Sequence, residues 1–140
     1  MTPPDDERPP GALEWAGVVL LCLCAVLAAV LEALLVPLYA GSVVVPIAVV
    51  AALVTNVAFP RMARVLVPST IAAALPLVAW LVVIVVFGVV TRPEGDVILP
   101  GGSGAVHWVS YGVMLGGALA GTITVVVSTP PPAPRGPVNR

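Results

Sequence analysis

One carboxylate stands where only hydrocarbon is expected. Glu32 lies inside an otherwise apolar run from Trp15 to Val36. An ionisable side chain in such a run is by default a candidate for pairing, cation binding or proton transfer. Arg92, Glu94, Asp96 and His107 cluster in sequence before and at the start of the last apolar run. If consecutive runs alternate across a membrane, these four fall on the same side as the end of the first run that carries Glu32. These five residues form the candidate functional cluster.

Two chemistries compete for them. Arg92 keeps its charge at any accessible pH, and an Arg92–Glu32 pair would satisfy both groups at a membrane surface. The bland alternative for Glu32 is structural pairing or snorkelling to the nearer interface, and it outweighs ion or proton handling. The mixture of signs in Arg92, Glu94 and Asp96 suits an internal clamp better than an ion funnel of one sign. His107 stands beside Trp108 at a helix entrance, a position typical of interfacial residues.

The remaining reactive types lead nowhere further. Cys22 and Cys24 sit two apart in the first run, so on a helix their side chains diverge by about 200°. They can neither bridge nor chelate one ion together, and they read as small apolar fillers. A metal site needs more His or Cys ligands than the chain has, so no metal and no cofactor is expected. Gly101-Gly102-Ser103-Gly104 lacks the Gly-Lys-Ser/Thr ending of a phosphate-binding loop. With a single histidine no nucleophile–base arrangement can be assembled, and no catalytic activity is expected.

The elements that position these residues follow from composition. Of 140 residues 59% are hydrophobic and 9% charged, with a net charge of −1. Soluble domains carry about 25% charged residues, so the chain reads as a membrane protein. The charge balance argues against nucleic acid as a partner, and membrane lipid is the expected surroundings.

Four spans are predicted, at about 15–36, 43–59, 67–90 and 105–127. As one helix the apolar stretch from Trp15 to Phe59 would reach about 68 Å, twice the hydrocarbon thickness, so the chain must turn back near Pro37–Ser42. Pro46 is placed in the first turn of the second span, where a missing N–H costs little. Residues 60–64 read as a short charged loop, and Pro76 as a kink in the third span. Residues 1–13 and 129–140 read as tails, the second rich in proline. The acidic residues before the first span argue that it is a retained helix and not a cleaved leader.

Arginine placement sets the expected orientation. With the N-terminus inside, Arg8, Arg61, Arg64, Arg135 and Arg140 are cytoplasmic and Arg92 alone is outside. The expectation is an all-α, four-transmembrane-helix bundle, N-in/C-in, in a bacterial plasma membrane.

The last span carries Gly112, Gly116, Gly117 and Gly121, two Gly-x-x-x-Gly pairs on adjoining faces. Such pairs let another helix approach to backbone contact. Ala25, Ala29 and Ala33 form a weaker analogue in the first span. Internal packing must claim part of this surface, and the rest could serve self-association or another membrane subunit.

Arg92-Pro93-Glu94-Gly95-Asp96, followed by an apolar run, a glycine-rich break and Tyr111-Gly112-Val113-Met114-Leu115-Gly116-Gly117, resembles a small actinobacterial family of four-helix membrane proteins of unknown function. That resemblance implies the fold and offers no catalytic residue. By subtraction, the expected role is a non-enzymatic accessory or stabilising subunit of a larger plasma-membrane complex. The alternative is a small oligomeric transporter or channel in which Glu32 takes a cation or proton.

Overall fold

The computed structural model describes residues 9–36, 38–89 and 104–128. Helix α1 spans Ala12–Leu35, α2 Ile47–Leu66 and α3 Thr70–Val89. A last helix, α4, runs from Ala105 to Val127 and contains a π-helical segment, Gly112–Gly116. Each of the four is long and apolar enough to cross a membrane. Consecutive helices run antiparallel, so α1 and α3 point one way and α2 and α4 the other.

The inward faces of α1 and α2 are built largely from small residues. On α1 the buried positions are Val18, Leu21, Ala25, Ala29, Glu32 and Ala33, while Leu20, Leu23, Leu27, Leu31 and Leu34 point outward. A soluble bundle has the reverse arrangement, with large apolar residues inside. Where the surroundings are as apolar as leucine, outward leucines cost nothing and small inward residues let helices close. The larger core cluster joins Ala25, Ala29 and Ala33 to Ala48, Ala52, Trp80, Ile84 and Val113. A second one, of Val18, Leu21, Ala63, Val67 and Ala72, closes the opposite end.

Several boundaries differ from the sequence expectation. The turn after α1 is a two-strand hairpin, β1 (Tyr39–Ala40) against β2 (Val43–Val44), so residues 43–44 are strand and not helix. Gly41, at φ +66°, takes the first loop position, the sign that a two-residue hairpin turn requires there. Pro46 then precedes α2 as its N-cap residue instead of lying in its first turn.

The largest correction concerns residues 60–64, which are helical and not a loop. Pro60 removes one backbone donor, but its ring is buried, and the inward line Ala48, Ala52, Asn56, Pro60, Ala63 continues through it. Burial on that face outweighs one lost hydrogen bond. The second span therefore ends at Leu66, and its 20 residues rise about 30 Å. The connection to α3 shrinks to residues 67–69, so the third span opens at Thr70 and not at Val67. Helix α1 likewise begins at Ala12, inside the segment read as tail.

Candidate functional site

The polar centre of the bundle is built around Glu32, which is 2% exposed. Its position on α1 continues the inward stripe of Ala25 and Ala29, at spacings that return to the same helix face. Oε1 accepts a hydrogen bond from the Thr55 hydroxyl of α2 at 2.8 Å. Oε2 accepts one from the Trp80 indole N–H of α3 at 2.7 Å. Neither donor is a cation. Snorkelling of Glu32 to the interface is thus overturned: the carboxylate points inward and ties three helices at one node.

Helix α4 completes the node by withholding a side chain. A Cβ built on Gly117 would lie 2.6 Å from Cη2 of Trp80 and 3.2 Å from Nδ2 of Asn56. Only glycine leaves room for the indole to reach Glu32. Asn56, 3% exposed, donates one amide hydrogen to the Ala52 carbonyl at 3.0 Å.

Thr55 has a choice of partners. Besides Glu32, its hydroxyl lies 3.0 Å from the Ala51 carbonyl and 3.3 Å from that of Ala52. A hydroxyl carries one proton and two lone pairs. It can therefore donate to an ionised carboxylate, or donate to its own backbone and accept from a protonated one.

The glycines of α4 are occupied inside the bundle. Gly112 and Gly116 face α2, where their added Cβ atoms would meet Val49 at 2.8 Å and Leu53 at 3.6 Å. Gly117 and Gly121 face α3, against Trp80 and Leu77. The two pairs read from sequence serve two different neighbours, and at Gly112, Gly117 and Gly121 an added methyl fits only if the facing side chain shifts.

His107 is half-buried on α4, with its ring 4.4 Å from that of Tyr111 and 5.5 Å from that of Trp108, both edge-on. Its Nδ1 is buried without a hydrogen-bond partner among the described residues. Arg92, Glu94 and Asp96 lie outside the described residues, so the expected Arg92–Glu32 pair does too. Both oxygens of Glu32 are already engaged by Thr55 and Trp80. Cys22 and Cys24 are free thiols at half-buried positions. Among the described residues no group of three or more His, Cys, Asp or Glu side chains could hold a metal ion.

Sequence reasoning missed Arg64. In the sequence it reads only as a loop charge, yet it reaches across the bundle to the C-terminal end of α4. Nη1 donates to the Ser128 carbonyl, while Nη2 lies 3.3 Å from the Val125 carbonyl and 3.3 Å from the Thr70 hydroxyl. Carbonyls at a helix C-terminus have no intrahelical donors and carry negative partial charge. Arginine supplies both deficits.

No protein family, curated protein or solved structure matches the chain.

Proposed function

We propose that this chain is a non-enzymatic accessory or stabilising subunit of a bacterial plasma-membrane complex, inserted with both termini in the cytoplasm. The observation that carries the reading is that both oxygens of Glu32 are engaged within the bundle. The carboxylate deep within the apolar helix α1 accepts from Thr55 and Trp80 of the same chain. What the bundle then offers its surroundings is an apolar exterior of leucine, valine and isoleucine on all four helices. Such a surface suits lipid and the transmembrane helices of other subunits. Self-association would use these outward faces, because the glycines of α4 are occupied within.

The test is purification of the full chain in mild detergent with identification of whatever co-purifies. A stoichiometric membrane partner supports the proposal; a monodisperse chain that moves ions alone in liposomes overturns it.

One observation favours a second reading, a small oligomeric transporter or channel for protons or cations. Thr55 can serve either protonation state of Glu32, so the node tolerates a change of charge without losing its hydrogen bonds. Ion flux in proteoliposomes that disappears in Glu32→Gln, with stability retained, would put this reading first.

A further inference from the structure

Among the described residues, Arg61 is the arginine left exposed. It stands on α2 five residues before Leu66, about 7.5 Å from the helix end, and is exposed where neighbouring Arg64 is engaged. Two apolar grooves meet at it. One, of about 420 Å³, opens between α1 and α2 and is lined by Gly17, Leu20, Leu21, Met62, Val65 and Leu66 besides Arg61. Glycine at position 17 keeps that wall low, and a Cβ there would stand 2.8 Å from Leu66. The other, of about 400 Å³, follows α2 from Arg61 past Ala58, Val57 and Val54 to Leu53. Eight helical steps from Leu53 to Arg61 make that second groove about 12 Å long.

We propose that this surface is a binding site for one anionic phospholipid. The phosphate pairs with the Arg61 guanidinium, whose planar fork matches phosphate oxygens in a bidentate way. One acyl chain follows the second groove toward the middle of α2, the direction it must take from a headgroup at the membrane surface. The groove between α1 and α2 seats the glycerol end and the neighbouring chain. Basic pockets between transmembrane helices on the cytoplasmic side are where anionic headgroups collect. Charge complementarity selects the lipid: Arg61 is the only charged residue in either groove, and every other lining residue is apolar or glycine. A carboxylate from a partner helix would need its own desolvation at this depth, whereas lipid phosphate already stands at the interface.

The proposal rests on membrane insertion with the Arg61 end at the cytoplasmic surface, but not on the identity of any partner subunit. The test is native mass spectrometry of the full chain released from nanodiscs of phosphatidylcholine alone or of phosphatidylcholine mixed with phosphatidylglycerol. One phosphatidylglycerol should be retained in preference to phosphatidylcholine. Arg61→Gln should weaken that retention on the order of tenfold, the effect of losing one charge-assisted pair. Val57→Trp, which fills the second groove but keeps the charge, should weaken it as well. Arg61 is exposed and Val57 half-buried, so melting in neutral detergent reports whether the variants fold. Equal retention of the two lipids, undiminished retention in folded Arg61→Gln, or a protein subunit occupying the site in place of lipid overturns the proposal. Failure to find a co-purifying subunit while lipid retention holds would sink the accessory reading and leave this one standing.

Discussion

Trp80 donates its indole N–H to Oε2 of Glu32 at 2.7 Å, from the middle of α3 to the last turns of α1. The bond explains two placements at once. A tryptophan in a membrane helix usually sits at the interface, where its N–H meets water or headgroups. Here it lies deep within the bundle, 1% exposed, and Glu32 is the acceptor that makes that depth tolerable.

The pair should therefore show coupling. In a double-mutant cycle of Glu32→Gln and Trp80→Phe, read by thermal stability in detergent, coupling of about 1 kcal/mol is expected, within the range found for hydrogen bonds between membrane helices. Trp80→Phe removes the donor together with the outer ring atoms that face Gly117, so the coupling and not the single loss reports the bond. Thr55→Val should couple to Glu32 by a smaller amount, because the Thr55 hydroxyl has backbone acceptors of its own. Additive losses in both cycles would mean that the node contributes geometry and no net energy.

Gly117 predicts an ordering among the glycines of α4. Gly117→Ala should cost about 1–3 kcal/mol, because the added methyl meets an aromatic ring that cannot bend away. Gly116→Ala should be near neutral, since its Cβ would make ordinary contact with Leu53 at 3.6 Å. Gly121→Ala should fall between them, as Leu77 can change rotamer. Melting temperatures in one detergent would check the order; equal losses at 116 and 117 would contradict the packing described.

Much of the fold was legible in the sequence because hydropathy and length are sufficient to count spans. What failed was local. Pro60 followed by Arg61 and Arg64 looks like the end of an apolar run, and only the burial of Pro60 and Ala63 shows the helix continuing. The site was half legible. Glu32 announced itself as a lone carboxylate, but spans that are apolar all round hide which face turns inward. The signal for its partners was present in residue type: Thr55 and Asn56 are adjacent polar residues in an apolar run, and Trp80 is a buried donor in need of an acceptor. Arg64 gave no such sign, because its acceptors are backbone carbonyls 61 and 64 residues away in sequence.

Arg64 should hold the end of α4 in place. Arg64→Gln removes the fork that reaches the Ser128 and Val125 carbonyls and the Thr70 hydroxyl. A loss of about 1–3 kcal/mol is expected for hydrogen bonds to a charged donor. Amide exchange over residues 122–128 should rise more than elsewhere, because the last turn of α4 loses its anchor to α2. Exchange that rises uniformly, or not at all, would show that the contact does not fasten the helix.

Orientation is the prediction on which the proposed function depends most. Counting arginines gives five on the side of the N-terminus and one, Arg92, on the other, and the positive-inside rule places the five in the cytoplasm. The fold refines where to probe. Ala63 is fully buried, so a cysteine there would be silent for reasons unrelated to sidedness. Pro68, exposed in the three-residue connection between α2 and α3, is the better inner position. On a background with Cys22→Ala and Cys24→Ala, Ser103→Cys should react with a membrane-impermeant maleimide in intact cells. Pro68→Cys and Ala133→Cys should react only after permeabilisation. Because consecutive helices are antiparallel, the connection at Pro68 and the start of α4 at Gly104 lie at opposite ends of the bundle whichever way it is inserted. Labelling of both from outside would therefore contradict the four-span bundle itself. Labelling of Pro68 and Ala133 from outside, with Ser103 protected, would invert the orientation and move the Arg61 grooves to the outer leaflet.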